Sequence, residues 1–530
     1  MPSARSFKGT IASRGYAEGD LFSLSAEVRT YQASGDTGTE TARLRLAREA
    51  AVTEIAALIA HTEAEAAEIL EFQLAMLEDE ALSEPALAAI ARGQGAFSAW
   101  QVALEAEITT YLASDNEYFR ARAADLRDIM QRVLRALTGA AEIAPPPGTI
   151  LYGDDITPSQ FLTRDWVQGG AVVLRQGSAA SHVAMLARAR GVPMLVGVAE
   201  LDGATGDPAL VDAEGGMLTL SPDGATLAQF RFAATQSRLR REEAAAIAHR
   251  AAATADGTPV KVLVNVATPD DVDAIDIAIC DGVGLMRTEF LYAGGLPDEE
   301  TQFAAYRRVV EWARGKPVVI RTVDAGGDKP VPGFTVEEAN PFLGLRGIRL
   351  ALAKPEIFRV QIRALLRASF LGNVSVMLPM VSLASEYRAA LDLFREESER
   401  LTAAKVRHSI PVLGIMVEVP AAAISPELLS EAAFFSIGSN DLTQYVMAAG
   451  RDNGAVAGLN DVTHPSVIAL ICNVVRYGEM KKIPVSLCGD AGGDPAAIPA
   501  LLNAGLRSVS VVPAQLPLAK LAISSVRLEG

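Results

Sequence analysis

Beyond Thr258 the chain repeats one pattern eight times: a short, apolar, β-rich run followed in most cases by a stretch of helical character. The runs are VKVLVNV, GVGLMRTEF, PVVIRTVDAGGD, VSVMLPMV, VLGIMVEVP, FFSIGSND, PVSLCGD and SVSVVP. Near-continuous apolar character suits parallel strands that are buried on both faces. Eight such strands alternating with helices predict a closed (β/α)8 barrel over residues 258–530.

At 530 residues the chain is too long for one hydrophobic core. From Thr39 to Leu137 it is rich in Ala, Glu, Leu and Arg, with apolar residues at helical spacing and few Gly or Pro, which predicts several antiparallel helices. APPPG at Ala144–Gly148 ends that region. TILYG, GGAVVLRQ, VPMLVGV, ALVDA and GMLTLS then return to strand character, and a charged helical segment starting near Thr226 leads into the barrel. The expected organisation is a multidomain α/β protein. Residues 1–22 and 144–223 form an α/β domain, 23–143 a helical insert within it, 224–257 a linker helix, and 258–530 the C-terminal TIM-type barrel.

A net charge of −16 argues against a nucleic-acid or anionic-membrane surface. No stretch approaches ~20 uninterrupted apolar residues, so no membrane insertion is expected, and the first residues lack the apolar core of a secretory signal. Cys280, Cys472 and Cys488 lie far apart with no CxxC spacing. The expectation is a soluble cytoplasmic protein.

Active sites of (β/α)8 barrels form where strands end. Here the ends carry Arg287 and Glu289; Arg321 with Asp324, Asp328 and Lys329; Met380; Glu418; Asn440 and Asp441; and Cys488 with Asp490. Arg287, Arg321 and Lys329, joined by Arg346 and Arg451 from loops, give a surplus of fixed cations suited to phosphate and carboxylate oxygens. Glu418 and Asp441 are the hard oxygen ligands that Mg2+ shares with a phosphate. The expected ligand is a small, multiply anionic phosphate ester with Mg2+. Cys488 fits either a packed core position or a group facing the rim. His61, His249, His408 and His464 read as solvent-facing or structural.

In GSAASHVAMLAR (Gly177–Arg188) small residues lead to His182 at the mouth of a predicted helix. The helix dipole favours the neutral, nucleophilic imidazole and also stabilises a nearby phosphoryl anion. A structural histidine is the alternative.

GVGLMRTEFL, RTVDAGGDK, NPFLGLRGIR, LLRAS, MLPMV, GIMVEVPAA, FFSIGSNDLTQY and LCGD, with MLEDE and RAADLRDI in the helical part, resemble Enzyme I of the bacterial phosphotransferase system, the phosphoenolpyruvate–protein phosphotransferases. The resemblance covers essentially the whole chain. It implies that Arg287, Arg321 and Arg451 hold phosphoenolpyruvate with help from Lys329, Arg346, Asn440 and Asp441. Glu418 and Asp441 bind Mg2+, His182 Nε2 takes the phosphoryl group, and Cys488 protonates the pyruvate enolate. It further implies transfer to the phosphocarrier HPr docked on the helical insert, a swivelling phosphohistidine domain, and a homodimer through the barrel domain. The sequence departs from the family pattern at Arg14, Ser178, Ala180, Val183 and Asp490. Loss of the usual hydroxyl at Ala180 costs ~1 kcal/mol, about fivefold in rate. The rivals are a phosphoenolpyruvate-binding regulatory or scaffold relative with impaired transfer, a nitrogen-regulatory paralogue, and a dikinase or synthase, for which no ATP-binding domain is seen.

Overall fold

This computed structural model describes residues 4–24, 31–59, 64–112, 117–139, 145–177, 181–198, 203–292, 295–327, 329–450 and 456–528. The chain divides into two compact units, Met1–Ser237 and Arg238–Gly530.

The first unit holds an eight-stranded sheet. Its strands are β1 (Arg5–Lys8), β2 (Thr10–Ser13), β3 (Tyr16–Ser23), β4 (Ile150–Gly153), β5 (Ala171–Leu174), β6 (Met194–Val196), β7 (Pro208–Asp212) and β8 (Met217–Leu220). They lie in the order β1-β8-β7-β3-β4-β5-β6-β2. Strands β3 to β6 run parallel, and antiparallel partners flank them on both sides. The opening residues supply three of these strands.

Between β3 and β4 the chain leaves the sheet for five helices, Thr37–Ile59, Ala64–Glu78, Glu80–Ala91, Ala96–Leu112 and Glu117–Thr138. Leu44, Ile55, Leu70, Leu77, Ile90, Trp100 and Leu126 form their buried core. Glu40 is also buried there. Its carboxylate accepts hydrogen bonds from the Ala96 N–H at 2.7 Å and the Tyr31 hydroxyl at 2.6 Å. One acid thus satisfies an orphan donor at the start of the fourth helix. The helix Gly224–Ile247 follows β8.

The second unit is a closed barrel of β9 (Lys261–Val266), β10 (Val283–Met286), β11 (Val318–Arg321), β12 (Val374–Leu378), β13 (Val412–Val417), β14 (Phe435–Ile437), β15 (Val485–Leu487) and β16 (Ser508–Val511). Every neighbouring pair is parallel, and β16 closes onto β9. All eight apolar runs of the sequence supply these strands. Their fully buried Val, Ile and Leu side chains pack against the surrounding helices. Among the described residues no helix is long and apolar enough to cross a membrane.

Candidate active site

A cavity of about 370 Å³ opens at the C-terminal ends of the barrel strands, and Arg287, Arg321, Asp324, Lys329, Glu418, Asn440, Asp441, Cys488 and Asp490 line it. Strand geometry brings them together. Arg287 follows β10, Arg321 ends β11, Glu418 follows β13 and Cys488 follows β15. Asn440 and Asp441 occupy the first turn of the Ser439–Met447 helix after β14.

The cations fall into two kinds. Arg321 is almost fully buried, with Glu289 at 2.9 Å and Asp324 at 3.3 Å. Arg346 is equally buried, 2.9 Å from Asp324 and 3.4 Å from Asp441, and its Nη1 donates to the Tyr445 hydroxyl at 3.2 Å. Burial opposes both charges, but these carboxylates hold both guanidinium groups firmly protonated. Arg287, by contrast, is half-buried and has no ion pair among the described residues. Among the described residues Lys329 has one ion pair, with Glu289 at 3.7 Å. Arg287 and Lys329 are therefore the groups free to meet an incoming anion.

The cation surplus expected from the sequence does not appear in the described wall. Arg287, Arg321 and Lys329 face Asp324, Glu418, Asp441 and Asp490. Arg346 is committed to its own acids rather than to the cavity, and Arg451 lies outside the described residues. A wall with this balance accepts a polyanion only if some of its carboxylate charge is neutralised.

Glu418 shows where that occurs. It is buried. Burial, and then the carboxylates of Asp441 and Asp324, push its pKa up to about 8. Two buried acids whose charges act on one another suit a divalent cation. Among the described residues no group of three or more His, Cys, Asp or Glu could hold a metal unaided. Mg2+ does not require one, since it commonly keeps waters and substrate phosphate oxygens beside one or two carboxylates. Glu418 is also oriented: its Oε1 accepts the Met380 N–H at 2.7 Å. Met380 reaches that position with a φ of 58°, in the left-handed region that side chains such as Met rarely adopt.

After the next two strands, Asn440 and Asp490 lock one another. Asn440 Nδ2 donates to Asp490 Oδ2 at 2.8 Å, and the Asp490 N–H returns a bond to Asn440 Oδ1 at 3.0 Å. Between Asp490 and Cys488 the chain must be Gly489, because a Cβ there would sit 1.9 Å from Ser439 Oγ. Cys488 packs with Leu285, Met377 and Met416. Burial in this apolar setting pushes its thiol up to about 11, so at neutral pH it holds its proton.

In the first unit His182 opens the His182–Ala189 helix, and Ser181 is its N-cap, accepting the Ala184 N–H at 3.2 Å. Ser178 and Ala180, just before it, lie outside the described residues.

Comparison with known proteins decides the family. Residues 241–528 match the PEP-utilising enzyme, PEP-binding domain family, residues 8–122 the PEP-utilising enzyme N-terminal family, and residues 145–216 the PEP-utilising enzyme mobile domain family. The phosphoenolpyruvate-protein phosphotransferase of Geobacillus stearothermophilus is 38% identical over 98% of this chain and 93% of its own length. That of Listeria monocytogenes is 36% identical over 96% and 92%. The chain belongs to the phosphoenolpyruvate-protein phosphotransferase family. An Enzyme I chain solved by NMR in solution is 26% identical over 44% of this chain and 99% of its own, with a TM-score of 0.37.

Within this family's framework, the structure gathers Arg287, Arg321, Lys329, Glu418, Asn440, Asp441 and Cys488 around one cavity. His182 belongs to the other unit. The remaining described histidines have local contacts: His464 accepts the Ser466 N–H at its helix start, His408 bonds the Val406 carbonyl, and the exposed His249 lies 4.0 Å from Asp276, while His61 lies outside the described residues. Two residues of the site went unassigned in the sequence. Asp324 was visible as a rim acid, but its role as the joint between two arginines depends on a loop closing back from residue 346. Tyr445 carried no signal beyond its place in DLTQY, and its hydroxyl both meets Arg346 and donates to the Phe342 carbonyl at 2.6 Å.

Proposed function

We propose that this chain is the Enzyme I of a sugar phosphotransferase system, phosphorylating itself on His182 from phosphoenolpyruvate and passing the group to a histidine of an HPr-type carrier. One observation carries this: two open cations, a buried carboxylate pair and a protonated thiol converge on a single cavity at the barrel rim. Arg287 and Lys329 bind the substrate's phosphate and carboxylate oxygens, with Arg321 behind them as a fixed guanidinium and Arg451 as the further arginine of the family pattern. Mg2+ held by Glu418 and Asp441 would supply charge neutralisation across the phosphate and so fit a polyanion to an acid-rich wall. Asn440, fixed by Asp490, presents its remaining amide N–H to the substrate.

The chemistry is an in-line displacement in which positioned charge does most of the work. The lone pair on neutral His182 Nε2 forms the N–P bond as the bridging P–O bond breaks. The departing enolate takes the Cys488 thiol proton at carbon, giving pyruvate, and solvent later restores the thiol. His182 then meets the carrier, so it must visit the barrel cavity and leave it. The division into a phosphohistidine domain (1–22 and 144–223), a carrier-docking insert (23–143), a linker (224–257) and a dimerising barrel (258–530) serves that shuttle. A cytoplasmic location follows for an enzyme that draws on phosphoenolpyruvate.

Incubation with Mg2+ and 32P-labelled phosphoenolpyruvate should place one acid-labile, base-stable phosphoryl group on the wild type and none on His182→Ala. A wild type that binds phosphoenolpyruvate yet stays unlabelled would be a regulatory or scaffold relative instead.

A further inference from the structure

Behind the two arginine-bearing strand ends lies a buried polar chain outside the cavity. Gln361, on the Pro355–Ser369 helix, is fully buried. Its Oε1 accepts the Val323 N–H at 3.0 Å. Its Nε2 donates to Thr288 Oγ1 at 3.3 Å and to the Tyr306 hydroxyl at 3.1 Å. Thr288 passes the connection on, donating to the Arg321 carbonyl at 3.0 Å. Tyr306 is anchored in turn, donating to Gln302 Oε1 at 3.1 Å.

The sequence positions of these partners are what matter. Thr288 sits between Arg287 and Glu289, and Val323 lies between Arg321 and Asp324. One amide therefore grips both strand-end segments, each next to the charged residues it presents. Both N–H donors and the carbonyl oxygen of that amide are used, a set that a carboxylate or an apolar side chain of the same length cannot reproduce. A buried, fully satisfied network rigidifies what it joins. Here it joins the open cation Arg287 to the clamped cation Arg321 across β10 and β11, two strands with an irregular register between Val283 and Met286. The ladder resumes at Met286↔Ile320 and β10 ends there, so what holds the Arg287–Thr288 segment beyond that pair against β11 is the Thr288 bond to the Arg321 carbonyl and the Gln361 amide behind it.

We infer that Gln361 is a positioning residue for phosphoenolpyruvate binding, holding the Arg287 and Arg321 strand ends at the separation that the substrate's two anionic groups need, with Thr288 as its relay. This rests on the proposed function only in naming the ligand.

The test uses full-length protein and four variants, Gln361→Met, Gln361→Glu, Thr288→Val and Thr288→Ser. It reads phosphoenolpyruvate affinity by calorimetry with Mg2+ and, separately, phosphoryl transfer between His182 and the carrier. Gln361→Met, Gln361→Glu and Thr288→Val should each weaken affinity and raise KM about tenfold, since a sub-ångström misplacement of binding groups is costly. Thr288→Ser, which keeps the hydroxyl, should bind as the wild type does, and transfer between His182 and the carrier should be unaffected in all four. Unchanged affinity in folded Thr288→Val and Gln361→Glu would overturn the inference, leaving Gln361 a purely structural residue. Thr288→Val preserves side-chain volume, so the answer survives even where Gln361→Met misfolds. A wild type that binds phosphoenolpyruvate but never labels His182 defeats the functional proposal without touching this one.

Discussion

The Asp324 carboxylate is shared by two arginines, with Arg346 Nη2 at 2.9 Å and Nε at 3.3 Å on one side and Arg321 Nη1 at 3.3 Å on the other. All three side chains are nearly sealed from solvent. Burial opposes the Asp324 charge, but Arg321, Arg346 and then Lys329 outweigh it and hold the carboxyl well below its usual range. Its folded pKa is thus depressed, so its stabilisation is present above the ordinary carboxylate pKa and is lost as pH falls.

Asp324→Asn keeps the shape and removes the charge, leaving two buried guanidinium groups under-compensated. Breaking a buried pair in this way costs about 3–5 kcal/mol. Denaturant unfolding of the barrel should show that loss at pH 7, and the difference from wild type should shrink toward pH 3. Phosphoenolpyruvate affinity should fall with it, because Arg321 loses one of its two carboxylate supports.

Glu418 has the opposite sign. Burial, Asp441 and Asp324 raise its folded pKa to about 8, above its unfolded value, so the folded chain holds the proton more tightly. The associated stability is fully present below the unfolded pKa and declines as pH rises through about 8. Glu418→Gln should therefore unfold at a higher temperature than metal-free wild type at pH 9, with little difference at pH 4. Added Mg2+ should raise the wild-type Tm at pH 9 and leave that of the variant nearly unchanged. Phosphorylation of His182 from phosphoenolpyruvate should be lost in Glu418→Gln, while exchange with the phosphorylated carrier continues. Differential scanning calorimetry at the two pH values checks the first part, and labelling from each phosphoryl donor checks the second.

The barrel was legible because each strand is an apolar run, and most of the runs stop at a polar or charged residue that in this fold falls on one rim. Arg287, Arg321, Glu418, Asp441 and Cys488 could thus be found from their place after a strand. What the sequence could not convey is which charges neutralise one another. Arg346 reads as a loop cation like Arg287, yet a loop of some twenty residues folds it back onto Asp324 and takes it out of play. Gln361 has no signal at all, since an isolated glutamine on an amphipathic helix looks like a surface residue until its helix is packed. The left-handed backbone at Met380 is equally silent, as is the need for glycine at 347, where an added Cβ would lie 2.9 Å from Met380 Cβ.

In the helical insert, Glu40 accepts the Tyr31 hydroxyl, the Ser34 N–H and hydroxyl, the Ala96 N–H and an Arg43 guanidinium N–H, all between 2.6 and 3.1 Å. Burial works against its charge, but these donors together hold its pKa down to about 2. The sign is again that of a depressed acid: stability is present above the unfolded pKa and is lost as pH falls toward 2. Glu40→Ala strands several donors and should cost roughly 3 kcal/mol. Denaturant unfolding followed by Trp100 fluorescence should report that loss near neutral pH, with a smaller difference at pH 3.

Cys488 offers the most direct probe of the chemistry. Its thiol is buried and pushed up to about 11, chiefly by that burial, so at pH 8 its thiolate fraction is about a hundredfold below that of an ordinary cysteine. Iodoacetamide should therefore modify the partly exposed Cys472 long before Cys488, and peptide mapping by mass spectrometry reads the order directly. A reactive Cys488 at neutral pH would contradict its role as a held proton source. The complementary measurement follows the carbon. Cys488→Ala should still cleave phosphoenolpyruvate and label His182, since neither step uses the thiol. Without that acid the enolate must take its proton from solvent, so pyruvate formed in deuterated water from chirally labelled substrate should lose the facial selectivity seen with wild type. Retained selectivity in Cys488→Ala would assign protonation to another group on the rim.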